Sequence, residues 1–311
     1  MTIDEKELRN SMTPIRIGRR GALTAIAGLA LAPIACAHPA GATIKIGSKN
    51  FTEELILGEL YAQTLEHAGL TVDRRLNLGS VEVAMAALQR GDIDLYPEYT
   101  GTALLVVLKL PPITDRVKTF ETVKREYEKR FHLIWLKPAP MNDSQALATT
   151  SAVAVKYGLR TLSDLSRQAP KLRLASVPEF TDRPDGLAGL RKAYGGFQFA
   201  SIRYIAIGLK YKALLDGDVD VAVAFGTDGQ IGADHLVVLE DDKHFWPPYQ
   251  VAPVVRDDAL ARFPSIRPTL DALAPHITDD VMRNLNWRVD GNHEEPADVA
   301  RDFLGKTGLT A

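Results

Sequence analysis

Residues 86–102 read Ala-Ala-Leu-Gln-Arg-Gly-Asp-Ile-Asp-Leu-Tyr-Pro-Glu-Tyr-Thr-Gly-Thr. This stretch constrains the fold more than any other. Gly91 suits the left-handed residue that closes a helix. Ile93 and Leu95 alternate with Asp94, which is the period of a strand. The stretch therefore predicts a helix end, a Gly-Asp turn, a strand and a loop carrying Tyr99. The same order returns at residues 212–228, with Gly217 in place of Gly91 and Phe225 in place of Tyr99, both at an offset of 126 residues. A second pair matches Ile44-Lys45-Ile46-Gly47-Ser48 with Leu172-Arg173-Leu174-Ala175-Ser176. Self-similarity at this spacing predicts two like α/β lobes.

Strand and helix patterns alternate along the chain, so mostly parallel sheets are expected. The expected strands include 43–47, 72–76, 133–136, 146–150, 172–175, 235–239 and 251–255. Helices are expected near 53–67, with Asn50 or Thr52 as cap, and near 81–89, 117–129, 184–193, 265–273, 279–285 and 297–304. Residues 137–143 read as a crossing between lobes, and the patterns after Asp228 as a return to the first lobe. The expected division is 42–141 plus 228–311 for lobe I and 142–227 for lobe II. Two crossings make a hinge with a cleft.

The chain has 311 residues, ordinary globular hydrophobic (46%) and charged (24%) fractions, and a net charge of −2. That charge offers no electrostatic footprint for nucleic acid. Residues 1–37 resemble an export signal: a polar start ending in Arg19-Arg20, an apolar run from Gly21 to Ile34, then Ala35-Cys36-Ala37. The twin-arginine and general secretion routes both remain open, as do an anchored amphipathic helix and lipidation of Cys36. Removing residues 1–37, which hold five Lys/Arg and three Asp/Glu, leaves a net charge of −4. Cys36 is the only cysteine, so cleavage after Ala37 leaves no thiol for disulfides, catalysis or zinc. The seven histidines show no metal-ligand spacing, and no catalytic or phosphate-loop motif appears. No cofactor is expected. The Asp92/Asp94 and Asp218/Asp220 pairs are expected to cap turns.

Five stretches carry a family resemblance. Residues 46–53 (Ile-Gly-Ser-Lys-Asn-Phe-Thr-Glu), 91–102, 183–187 (Arg-Pro-Asp-Gly-Leu), 239–243 with 247–249, and 285–286 with 299–309 resemble, in order, the quaternary-ammonium-binding proteins of ABC importers. The resemblance implies a two-lobed periplasmic-binding-protein fold of type II, with hinged lobes around a ligand cleft and no catalysis. It implies an osmoprotectant such as glycine betaine, choline or carnitine as ligand, and a membrane permease as partner; a monomer is expected. A quaternary ammonium donates no hydrogen bond, so its recognition rests on ring faces. The resemblance assigns the cationic Lys49 and Arg183 to the ligand carboxylate, Thr102 as a hydroxyl donor near Tyr99, Tyr99 and Tyr211 to the cage, and the Asp143 backbone to the pocket wall. It departs at Gln145 and Phe225, where relatives carry tyrosines. Phe225 keeps a ring face and Gln145 does not, so a more polar solute is an alternative. Tyr61, Tyr96, Glu98 and Tyr249 read as structural, and the three tryptophans as core or lobe contacts. The rival readings are an enzyme on the same scaffold, using Lys49 or Asp94, and a ligand-sensing regulatory domain.

Overall fold

The structure, a computed structural model, describes residues 43–309. The export-signal reading of residues 1–37 and Cys36 lies outside the described residues. Ten strands build two five-stranded sheets. They are β1 (Thr43–Gly47), β2 (Thr71–Arg75), β3 (Leu95–Tyr99), β4 (Leu133–Trp135), β5 (Gln145–Thr149), β6 (Arg173–Ser176), β7 (Ser201–Tyr204), β8 (Val221–Phe225), β9 (Val237–Val238) and β10 (Val251–Arg256). The sheet orders are β2-β1-β3-β10-β4 and β7-β6-β8-β5-β9. Substituting β6, β7, β8, β5 and β9 for β1, β2, β3, β10 and β4 turns one into the other, so the internal repeat is an architectural one.

The repeat extends to single atoms. Gly91 and Gly217 are both left-handed, with φ of 75° and 74°. Asp94 Oδ2 accepts from Lys45 N at 2.9 Å, and Lys45 Nζ donates to Gly91 O at 2.6 Å. In the second lobe Asp220 Oδ2 accepts from Arg173 N at 2.8 Å, and Arg173 Nη2 donates to Gly217 O at 2.9 Å. Each aspartate thus ties the residue after its turn to the neighbouring parallel strand, β1 or β6, a structural use, though the partner is a strand N–H and not the turn cap expected.

Two expectations about the sheets need correction. They are not mostly parallel: β1–β2, β1–β3, β6–β7 and β6–β8 are parallel, while β3–β10, β10–β4, β5–β8 and β5–β9 are antiparallel. The cause is the crossing. Val251 opens β10 beside Tyr99 at the end of β3, and Gln145 opens β5 beside Phe225 at the end of β8. A chain entering a lobe from the cleft side must run against the strand it joins. Nor does lobe II end at 227. β9 pairs with β5, and Thr161 bridges Glu240, so the chain stays with the second sheet until after residue 240 and rejoins the first at β10.

The two crossings are hydrogen-bonded to one another. Leu136 N donates to Pro253 O at 3.0 Å, Ala139 N to Val251 O at 2.9 Å and Asp143 N to Tyr249 O at 3.1 Å. The helix Thr52–His67 starts after Phe51 without a side-chain cap; the Thr52 hydroxyl instead donates to Asp290 at 2.6 Å. β7, Ser-Ile-Arg-Tyr, falls outside the expected strands: it is a four-residue edge strand, mostly exposed, and too short for its alternation to stand out. Trp135 lies in the lobe I core.

Candidate functional site

A cavity of about 580 Å³ opens where the cleft ends of the two sheets face each other. Lys49, Tyr99, Thr102, Asp143, Gln145, Arg183, Tyr211 and Phe225 all line it. Strand geometry explains why. Tyr99 and Phe225 close the repeat-related strands β3 and β8, and each strand leads its ring to the cleft. Gln145 is the register partner of Phe225.

On the lobe I side, Tyr99 is 3% exposed and its hydroxyl donates to Glu53 Oε1 at 2.7 Å. Phe51 stacks near it, ring centroids 6.3 Å apart. The Lys49 ammonium lies 4.5 Å from the Tyr99 centroid and donates to Glu98 Oε1 at 2.7 Å, with Glu54 Oε1 at 3.3 Å. Burial works against that ammonium, but the two carboxylates outweigh it and raise its pKa above the usual lysine value. Burial pushes the Glu54 carboxyl up to about 8, with Lys49 pulling the other way. Lys49 is therefore no unpaired cation awaiting a carboxylate. Glu98, read from sequence as structural, belongs to its ion pair and also accepts from Tyr96. Thr102 reaches the cavity from the short turn Thr100–Thr102.

On the lobe II side, Asp185 is the hub. Arg183 Nε and Nη2 donate to its two oxygens at 2.7 and 2.5 Å, Gln145 Nε2 donates at 2.7 Å, and the Tyr249 hydroxyl joins them. Burial opposes the Asp185 charge, but the Arg183 guanidinium holds its pKa below the usual aspartate value. The Arg-Pro-Asp-Gly turn that presents Arg183 requires glycine, since a Cβ on Gly186 would lie 1.9 Å from Phe180 O. Gln145 thus has its amide committed to Asp185. Tyr249, read from sequence as structural, lines the cavity. The Tyr211 hydroxyl donates to Asp228 Oδ2 at 2.5 Å, and Phe225 N donates to the same oxygen at 2.9 Å.

Between the halves lies an acidic node. Thr227 Oγ1 is 2.5 Å from Glu53 Oε2 and 2.7 Å from Asp143 Oδ1, and Asn286 Nδ2 donates to Glu53 Oε2 at 2.8 Å. A hydroxyl has one proton to donate, so both contacts are hydrogen bonds only when a carboxyl also holds a proton. Burial raises the pKa of Glu53 and of Asp143, which favours that proton. The Asp143 backbone N–H is used between the crossings, so its side chain and not its amide enters this network.

Sequence reasoning missed Glu53, Asp185, Lys210, Thr227, Asp228 and Asn286. Glu53 sits inside the matched opening motif and Asp185 inside Arg-Pro-Asp-Gly, so both had a signal. Thr227 and Asp228 end the second copy of the repeat and Asn286 lies in the last matched stretch, but none of the three has a counterpart that marks its role, and Lys210 lies in neither pattern.

Residues 42–306 match the family described as the substrate binding domain of ABC-type glycine betaine transport systems. The chain belongs to this family. It is 37% identical over 265 residues to the ergothioneine transport permease/ergothioneine binding protein EgtU of Helicobacter pylori, covering 85% of this chain but 47% of that protein's length. It is 36% identical over 295 residues to a glycine-betaine-binding protein of Pseudomonas aeruginosa, covering 92% and 93% of the two chains. Among solved structures, a glycine betaine/carnitine/choline ABC transporter protein superposes with a TM-score of 0.73 at 34% identity, over 86% of this chain and all of that one. The two-lobed type II periplasmic-binding-protein fold follows from this likeness. Members of the family bind solutes for transport and are not enzymes. Among the described residues no cluster of His, Cys, Asp or Glu suits a metal ion.

Proposed function

We propose that this protein captures a quaternary ammonium osmoprotectant of the glycine betaine, choline or carnitine class and delivers it to the permease of an ABC importer. It works outside the cytoplasm as a monomer, after export directed by residues 1–37. The observation that carries the reading is that Tyr99 and Phe225, at the ends of repeat-related strands in opposite lobes, line one cavity. A methylated ammonium between such faces gains roughly 0.5–2 kcal/mol per desolvated ring. Tyr99, Tyr211 and Phe225 supply the rings. Arg183, whose Nη1 is left over by Asp185, takes the carboxylate with Thr102, and Lys49 adds positive potential from its ion pair. Asp143 and Gln145 complete the wall. Ligand binding favours the closed arrangement of the lobes, because that arrangement brings both sets of rings to the same guest.

Titration calorimetry of the mature protein tests the reading with glycine betaine, choline, carnitine, proline betaine and ectoine. Ergothioneine belongs in the panel, since the Helicobacter relative is named for it. Binding of at least one quaternary ammonium is expected. Failure of all of them, with tight binding of a neutral amino acid or a sugar, sinks the assignment.

A further inference from the structure

The ring pair of lobe II already holds a cation. Lys210 is 2% exposed, and its Nζ lies 4.4 Å from the Phe225 centroid and 4.8 Å from the Tyr211 centroid. The same nitrogen donates to Asp228 Oδ2 at 2.8 Å. Two ring faces and a carboxylate around one ammonium reproduce, inside the chain, the surroundings that a quaternary ammonium requires.

From this geometry we infer that Lys210 is a specificity-determining residue: its ammonium occupies the lobe II ring pair and competes with the cationic head of the solute. The inference rests on the proposed quaternary-ammonium function and refines it. An ammonium within cation–π distance of both rings stands where a ligand cation would have to meet the two together. A solute cation has two ways in. It displaces Lys210, or it takes the outer ring faces with Lys210 a few ångströms away, where two like charges repel in a medium of low dielectric. Either route weakens binding of the cation. Asp228 ties the lysine in place and is itself tied by the Tyr211 hydroxyl and Phe225 N. Loss of the ammonium would therefore free both ring faces and leave a carboxylate beside them, a better site for an external cation.

Lobe I sharpens the contrast. Lys49 also lies over a ring, but its Nζ has two carboxylates of its own, Glu98 and Glu54, and the Tyr99 hydroxyl is held separately by Glu53. Its removal strips two buried carboxyls of their partner. Removal of Lys210 strips one, which keeps two other donors. Lys210 is thus the occupant that substitution can remove with least disturbance.

The test is calorimetry with choline on the full mature protein, its Lys210→Met and Lys210→Gln variants, and Lys210→Arg, which keeps a cation. Met and Gln are expected to tighten choline about tenfold, and Arg to stay within about twofold of wild type. Wild-type binding with unchanged or weaker affinity in both neutral variants overturns the inference and leaves the transport reading standing. Failure of every quaternary ammonium on every form removes both. If the neutral variants do not fold, NMR of the unaltered protein decides. The Lys210 side-chain protons should be shifted upfield by the rings in the free protein and return toward ordinary lysine positions with saturating choline. Persistence of the upfield shift at saturation overturns the inference.

Discussion

The two lobes share a scaffold and differ at the edge that faces the cleft. Both tie a Gly-Asp turn to a neighbouring parallel strand, β1 or β6, through one aspartate, Asp94 or Asp220, and both end the strand after the turn in a ring. Beyond the ring the likeness stops. Tyr99 is buried, with its hydroxyl on Glu53 and a twice-paired lysine over its face. Phe225 is half-buried, has no hydroxyl, and shares Lys210 with Tyr211. Strand pairing dictates the turn, because a missed hydrogen bond there leaves buried backbone unsatisfied. No such demand acts on the cleft face, so the two halves can carry different chemistry on one frame.

The largest expected contrast concerns Glu54, a buried carboxyl whose pKa is raised to about 8. The folded state then holds a proton that the unfolded state, titrating near 4.5, has released. Its contribution to stability is fully present below about pH 4.5 and is lost as pH rises to about 8, a change on the order of 5 kcal/mol. Glu54→Gln should flatten the fall in denaturation free energy between pH 5 and 8. A slope equal to that of wild type would remove Glu54 as its source.

The aspartate clamps come next. The Asp94 side chain is 2% exposed and also receives Arg262, whereas that of Asp220 is 17% exposed. Asp94→Ala should cost about 3 kcal/mol and Asp220→Ala about 1 kcal/mol, since buried polar partners left unpaired carry the larger penalty. Urea denaturation reads the difference, and equal losses would show that burial does not separate the two turns.

Smaller effects are expected on binding. Tyr99→Ala should weaken the solute at least tenfold by calorimetry, about 1.4 kcal/mol; unchanged affinity takes Tyr99 out of the site. Phe225→Ala should cost less, because Tyr211 remains in that half. The smallest effect is a gain. Gln145→Tyr returns a ring to the wall and should tighten choline by about three- to tenfold, one ring's worth. A loss would mean that the amide on Asp185 matters more than the missing face.

Much of the site was legible in the sequence because the repeat supplied an internal reference. The 126-residue offset pointed from Tyr99 to Phe225, and the opening motif to Lys49. Less legible was what each residue does once neighbours arrive. Lys49 looked like a partner for a ligand carboxylate and has the Glu98 carboxylate and the Glu54 carboxyl beside it instead. Gln145 looked like a free polar wall and donates to Asp185, 40 positions away. Lys210 had no motif at all, and an isolated lysine on a short helix reads as solvated.

The sequence alone determined the two α/β lobes, the turn glycines and the first crossing, which depend on local periodicity and short-range spacing, while its motifs carried the resemblance to the family. The tertiary structure decided the strand directions beside the crossings, the place where the chain leaves lobe II, and the partner of every charge in the cleft. Those outcomes depend on which distant segments meet. A charge's role is set by the oppositely charged group that burial places beside it, and spacing along the chain carries no record of that.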